Sequence, residues 1–158
     1  MKLLILFILG FIMGGTVSWK INMEITGKAS SRNYIMSEKH LSIMLILNRF
    51  LQIKQEQKSI GAYLENKGIH TVAIYGMSYV GERLYEELKN ENVQVLYGID
   101  KKAGSGIEGF QMYSPYEKLP EVDAVIVTPT FFFAAIQKDL SAKIMCPIIS
   151  LEEILYEV

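Results

Sequence analysis

Residues 71–88, TVAIYGMSYVGERLYEEL, limit the fold more than any other stretch of the chain. TVAIY is short and apolar, with the β-branched and aromatic content of a buried strand. Gly76 ends it, and Gly81 follows five residues later inside an amphipathic helix that carries Val80, Leu84 and Leu88 on one side. VQVLYGID, residues 93–100, is a second apolar run. One helix between two such runs predicts a parallel βαβ unit with a right-handed crossover.

The alternation continues. KKAGSGIEG reads as a flexible turn and FQMY as a short edge strand. In SPYE, Ser114 is a cap, Pro115 takes the first helical position and Glu117 closes a capping box. DAVIVT, residues 123–128, is a strand, FFFAAIQKDLS a helix, and KIMCPIIS contains the last strand. SLEE is a second capping box, with Ser150 and Glu153, opening a final helix. The expected fold is α/β: a Rossmann-like, doubly wound, mostly parallel sheet of four or five strands over residues 69–158. Such sheets bind ligands beyond the carboxyl ends of the strands, where strand order reverses. Gly76–Val80, Asp100–Lys102 and Thr128–Phe131 are expected to meet there.

The loop's chemistry follows from its residue types. Gly76 permits a tight turn and Gly81 lets the helix approach the sheet. Between them lies a helix N-terminus, whose unpaired N–H groups and partial positive charge attract phosphate. Ser78 stands where a middle glycine would let the backbone approach a pyrophosphate. Its Cβ weakens that approach, while its hydroxyl can donate to a phosphate oxygen. Asp100 ends the second strand, where a carboxylate accepts from ribose hydroxyls and disfavours a 2′-phosphate. NAD or a UDP-sugar therefore suits the loop better than NADP. Gly76, Met77, Ser78, Tyr79, Gly81, Asp100, Lys101, Thr128 and Pro129 are the expected cofactor-binding residues.

A catalytic constellation is missing from this pattern. His70 precedes the first strand, at the wrong end of the sheet, and His40 lies upstream. Cys146 sits in or beside the last strand and reads as core. Tyr63 with Lys67, and Tyr85 with Lys89, repeat the Y-x-x-x-K spacing of short-chain dehydrogenases, but both fall in the wrong place and read as helix surface. No metal-ligand cluster is evident.

The front of the chain differs. Leu3–Trp19 carries no charge, and Ile21 and Met23 extend it, so residues 1–23 are expected to form a transmembrane anchor with Trp19 at an interface. A cleaved signal peptide is the rival, resting on Lys2 alone and a poor cleavage pattern near Gly15–Ser18. Lys20, Lys28 and Arg32 follow the segment, which places the body on the cytoplasmic side of the inner membrane as a single-pass protein. Gly10 and Gly14 form a G-x-x-x-G that lets two membrane helices approach closely. Residues 24–37 read as a linker, and residues 38–68 as a helical segment opened by a Ser37 cap. Leu41, Met44, Leu45, Leu47 and Leu51 form one apolar side of its first helix, which Ile43, Ile46, Phe50 and Ile53 widen. That helix, residues 38–57, is expected to pack on the core, or else to meet a partner, such as a second copy, or a membrane surface. Ser59 caps a second short helix that Gly68 ends.

Charge divides the chain in the same way. Residues 1–68 hold nine Lys/Arg against four Asp/Glu, and residues 69–158 hold seven against thirteen. A basic front beside an apolar segment suits an anionic membrane surface, while an acidic body argues against nucleic acid as a partner. A single cysteine excludes an internal disulfide.

Three stretches, VAIYGMSYVGERLYEELKNENVQVLYGID, SPYEKLPEVDAVIVTPTFFFAAI and CPIISLEEILYEV, carry a resemblance over roughly residues 58–158. This part resembles the small NAD(P)-binding-like domains of bacterial sugar-modification proteins. These are the amino-terminal nucleotide-sugar-binding domain of sugar acyltransferases and the carboxy-terminal domain of sugar C-methyltransferases. The resemblance implies Gly76, Ser78, Gly81 and Asp100 for the nucleotide loop, Thr128 and Pro129 for the loop after the fourth strand, and a setting in surface-polysaccharide biosynthesis. No stretch of these residues resembles the catalytic domain of either group. The expected function is a membrane-anchored nucleotide or nucleotide-sugar binding protein accessory to polysaccharide assembly, with a glycosyltransferase as possible partner. The alternative is a scaffold that has lost its ligand and docks a partner. A small NAD-dependent oxidoreductase ranks third, for want of a proton donor.

Overall fold

The computed structural model describes residues 2–101, 107 and 109–158, and the side chains of 26 and of 30 onward within that span. The chain forms two compact units that divide between Leu41 and Ser42. Helix α1 (Lys2–Gln55) makes up the first unit and, over residues 42–55, opens the second. Residues 24–37, expected as a linker, have helical backbone, and Ser37 lies inside α1 rather than at its start. No proline interrupts that stretch, and Ala29, Arg32 and Met36 are good helix formers that offset the roughly 1 kcal/mol cost of Gly27. The side chains of the expected anchor, residues 1–23 with Gly10 and Gly14, lie outside the described residues. Among the described residues no helix is long and apolar enough to cross a membrane.

The second unit follows the expected alternation. After α2 (Ile60–Asn66) come β1 (Thr71–Tyr75), α3 (Tyr79–Leu88), β2 (Gln94–Ile99), β3 (Met112–Tyr113), β4 (Ala124–Val127), a 3₁₀ turn at Thr130–Phe132, α4 (Phe133–Ser141), β5 (Ile148–Ser150) and α5 (Leu151–Glu157). Ser59 caps α2 by accepting from the Ala62 amide at 2.9 Å, and Gly68, at φ +77°, turns the chain out of it. The other two boxes differ from expectation. Ser114 N–H donates to Glu117 Oε2 at 2.9 Å and the Ser114 hydroxyl accepts from the Tyr116 amide at 3.3 Å, yet only a turn forms. Pro120 explains this, because it biases Leu119 away from helix and leaves no room for a second turn. Ser150 is the N-cap of α5 but makes no side-chain capping bond, being itself buried.

All five strands are parallel, in the order β3-β2-β1-β4-β5. The chain moves outward from β1 through β2 to β3, then returns to the other side of β1, so strand order reverses between β1 and β4. Right-handed crossovers then put α3 and α4 on opposite faces. One face packs Leu84 and Leu88 of α3, Leu64 of α2, Ile154 of α5 and Ile46, Phe50 and Ile53 of α1 over Val72, Ile74 and Ile126. The other face sets Leu140 of α4, with Leu119 and Val122, against Ala73, Tyr97, Val125 and Val127. The α1 side that goes inward is Ile46, Phe50 and Ile53, whereas Met44, Leu45 and Leu51 remain exposed.

Tyr97 is the largest fully buried side chain, and its hydroxyl donates to the Pro120 carbonyl at 2.6 Å. Burial first, then the neighbouring Cys146 thiol and Tyr113, push its pKa up to about 12. An unfolded tyrosine ionises near 10, so above that pH the folded chain holds a proton that the unfolded chain loses. This stabilising contribution is complete below about pH 10 and lost by about pH 12, a fall of roughly 2–3 kcal/mol. Urea denaturation of the wild type and of Tyr97→Phe across that window should show the steeper loss in the wild type.

Candidate functional site

The carboxyl ends of β1 and β4 flank the reversal of strand order, and the loop between β1 and α3 sits there. Gly76 has φ +93°, a conformation that side chains other than glycine adopt at a cost. A Cβ on Gly76 would stand 2.7 Å from Pro129 Cδ and 2.8 Å from Thr128 Oγ1. Thr128 is buried, and its hydroxyl donates to the Gly76 carbonyl at 2.6 Å, while the Gly76 amide donates to Ile99 at 2.8 Å. A Cβ on Gly81 would overlap the Gly76 carbonyl oxygen. The glycine at 76 thus serves the turn and its packing, and the glycine at 81 seats α3 against the loop.

Asp100 follows β2, and its Oδ2 accepts from the Met77 amide at 3.1 Å. The carboxylate that sequence reasoning assigns to a ribose therefore also organises the loop's own backbone. Met77 does not line an open cleft: it is buried, and a Cβ on Gly98 would stand 2.7 Å from Met77 Cγ. Gly98 is the loop-supporting residue that sequence reasoning missed. Its signal was a glycine inside an apolar strand, which marks close approach by another group.

Ser78 is the N-cap of α3 with extended backbone, is exposed, and makes no side-chain capping bond. Tyr79 beside it is 78% exposed. The first turn of α3 also carries Glu82, which complements the helix dipole and opposes an arriving anion. Thr130 accompanies the site from the other side, its hydroxyl 3.1 Å from that of Ser42 in α1. Gly76, Met77, Asp100, Thr128 and Pro129 are thus brought together around one loop, with Ser78 and Tyr79 on its outer surface. Lys101 departs from this group and lines a cleft on the α4 face.

This sheet and loop coincide with a known family: the C2185-like, N-terminal family model matches residues 68–149, just over half the chain. The chain belongs to the C2185-like family. The C2185-like segment contains β1 to β4, most of β5 and every residue of the loop site, and leaves α1, α2 and α5 outside it. No curated protein and no solved structure matches the chain.

Elsewhere in the C2185-like domain, and in the flanking α2 and α5, the candidate reactive residues are tied into the fold. The His70 and Thr71 amides both donate to Asp123 Oδ2, at 2.9 and 2.7 Å, at the amino end of the sheet. Those backbone bonds hold the Asp123 carboxyl below its ordinary range. Cys146 packs beside β5, and burial pushes its thiol up, away from the reactive thiolate. Tyr63 and Lys67 both bind Glu157 of α5 on an exposed surface, and Tyr85 packs on Phe110 with ring centroids 4.6 Å apart. Among the described residues no group of three His, Cys, Asp or Glu side chains could hold a metal ion.

Proposed function

We propose that the C2185-like domain binds a nucleotide or nucleotide-sugar, with phosphate at the N-terminus of α3 and ribose against Asp100. The observation that carries this reading is Ser78. It caps α3 at the point where strand order reverses, yet its exposed hydroxyl makes no capping bond. That hydroxyl and the helix N–H groups are donors suited to a phosphate oxygen. Asp100, tied to the neighbouring Met77 amide, stands beside them and favours NAD or a UDP-sugar over NADP. The apolar segment Leu3–Trp19 supports anchorage in the cytoplasmic membrane with the domain on the cytoplasmic side. The resemblance to sugar-modification proteins supports an accessory role in surface-polysaccharide biosynthesis, with a glycosyltransferase as partner. A second copy is the other partner we propose, through Gly10 and Gly14 or through the 38–57 helix, where Met44, Leu45 and Leu51 are exposed.

Calorimetric titration of the full-length chain with NAD, NADP and UDP-sugars tests the reading. NAD or a UDP-sugar should bind and raise the unfolding temperature. Ser78→Asp should weaken that binding tenfold or more by placing like charge at the phosphate. Absence of heat and of any thermal shift with all three overturns it.

The scaffold reading is favoured by a different observation. Thr128 and Pro129 occupy the space over Gly76, and Asp100 is engaged by the Met77 amide. A scaffold should co-purify with a partner from membranes and ignore every nucleotide. The oxidoreductase reading gains nothing from Tyr63 and Lys67, which are bound to Glu157.

A further inference from the structure

The sheet face opposite α3 is buried by two separate segments. α4 packs on it, as does the segment 114–122, and a cleft of about 380 Å³ lies between them. Tyr75, Lys101, Pro115, Tyr116, Lys138 and Lys143 line it. Tyr75 is the last residue of β1 and only 8% exposed. Its hydroxyl makes no hydrogen bond among the described residues. Yet none of their solvent-sealed side-chain polar atoms lacks a partner, so the Tyr75 oxygen opens into the cleft. A hydroxyl that opens into a cleft is met by solvent when the cleft is empty, and a ligand that accepts its proton can replace that solvent. Burial, and then Asp100, Tyr116 and Asp139, raise its pKa, so at neutral pH it is a donor.

The charges around that donor are unbalanced. Among the described residues three lysines and one carboxylate, Asp139, line the cleft, and the Asp100 carboxylate acts on the donor from beside it. Lys143 Nζ donates to the Pro115 carbonyl at 2.6 Å and lies 5.4 Å from the centre of the Tyr116 ring, which fixes the aromatic wall. Lys101 and Lys138 form no ion pair among the described residues. A phosphate monoester brings close to two negative charges and three strong acceptor oxygens, which matches one phenol and two ammonium donors. The volume falls at the small end of ligand clefts. Tyr116, 76% exposed, offers a flat apolar surface for the remainder of such a molecule.

We propose that this cleft binds a small phosphate monoester, with the phosphate on Tyr75, Lys101 and Lys138 and the organic part against Tyr116 and Pro115. The site is separate from the Ser78 loop, because it is built on the α4 face and shares none of the loop's donors. Calorimetry on the full-length chain with AMP, ribose 5-phosphate, adenosine and ribose tests it. At least one of the two esters should bind, tenfold or more tightly than its phosphate-free counterpart. Which ester binds identifies the organic part. Tyr75→Phe and Lys138→Gln should each weaken binding tenfold or more. Tyr75→Phe should leave the unfolding midpoint unchanged, since the hydroxyl is met by solvent in the free protein. Ser78→Asp, which blocks the loop, should leave ester binding intact. The proposal fails if neither ester binds, or if Tyr75→Phe and Lys138→Gln bind like the wild type. It also fails if Ser78→Asp alone abolishes binding, which would assign the phosphate to α3.

Discussion

Gly81→Ala is expected to cost the domain at least about 3 kcal/mol, a large share of the roughly 5–15 kcal/mol that holds a typical domain together. The added Cβ would overlap the Gly76 carbonyl oxygen and stand 3.0 Å from its carbon, so backbone rather than a flexible side chain must move. Neither side can yield easily. The Gly76 carbonyl is held by the Thr128 hydroxyl at 2.6 Å, and the Gly76 amide by Ile99 at 2.8 Å. On the other side, Val80, Leu84 and Leu88 anchor α3 in the core. Moving α3 outward by one methyl group would loosen all three contacts at once. Urea denaturation of the two proteins measures the difference. Ser78→Ala, three residues earlier, should change stability by less than about 0.5 kcal/mol, because an exposed hydroxyl without a capping bond contributes little. Equal stability of Gly81→Ala and wild type would mean that α3 does not press on the loop.

Ile53→Ala should cost about 2–4 kcal/mol, the range for deleting most of a buried aliphatic side chain. Ile53 is 1% exposed and packs with Ile46 and Phe50 against the same core as α2 and α3. Arg49 adds a hydrogen bond from Nε to the Leu155 carbonyl at 2.8 Å, tying this part of α1 to α5. Leu51→Ala, two residues away but 56% exposed, should fall within about 0.5 kcal/mol in the free protein. Thermal unfolding of the pair separates the two roles of the helix. A large loss for Leu51→Ala and none for Ile53→Ala would reverse the assignment of its inner face.

That assignment shows where the sequence stops. Leu41, Met44, Leu45, Leu47 and Leu51 satisfy a helical apolar stripe as well as Ile43, Ile46, Phe50 and Ile53 do. Periodicity identifies both stripes and ranks neither. The domain buries the second, because its isoleucine and phenylalanine side chains meet the core beside α2 and α3. The site divides in a similar way. Gly76, Asp100, Thr128 and Pro129 were legible as one neighbourhood, because a parallel sheet places all its strand-to-helix turns at one end. Their bonds to each other were not legible. A spacing of nineteen residues after Gly81 says where Asp100 lies, but not that its carboxylate meets the Met77 amide. Lys101 was adjacent to the site in sequence, and the turn after β2 carries it to the α4 face instead.

Alternating apolar runs and amphipathic helices are enough to imply a mostly parallel sheet covered on both faces. Gly76 and Gly81 likewise mark where the loop can turn tightly and where the helix can close on the sheet. Which side of α1 faces inward, why Gly98 must lack a side chain, and the opening of the Tyr75 hydroxyl into a lysine-lined cleft follow from packing alone. Each of those depends on groups distant in the chain. Local pattern carries no information about what they meet until the strands are in register.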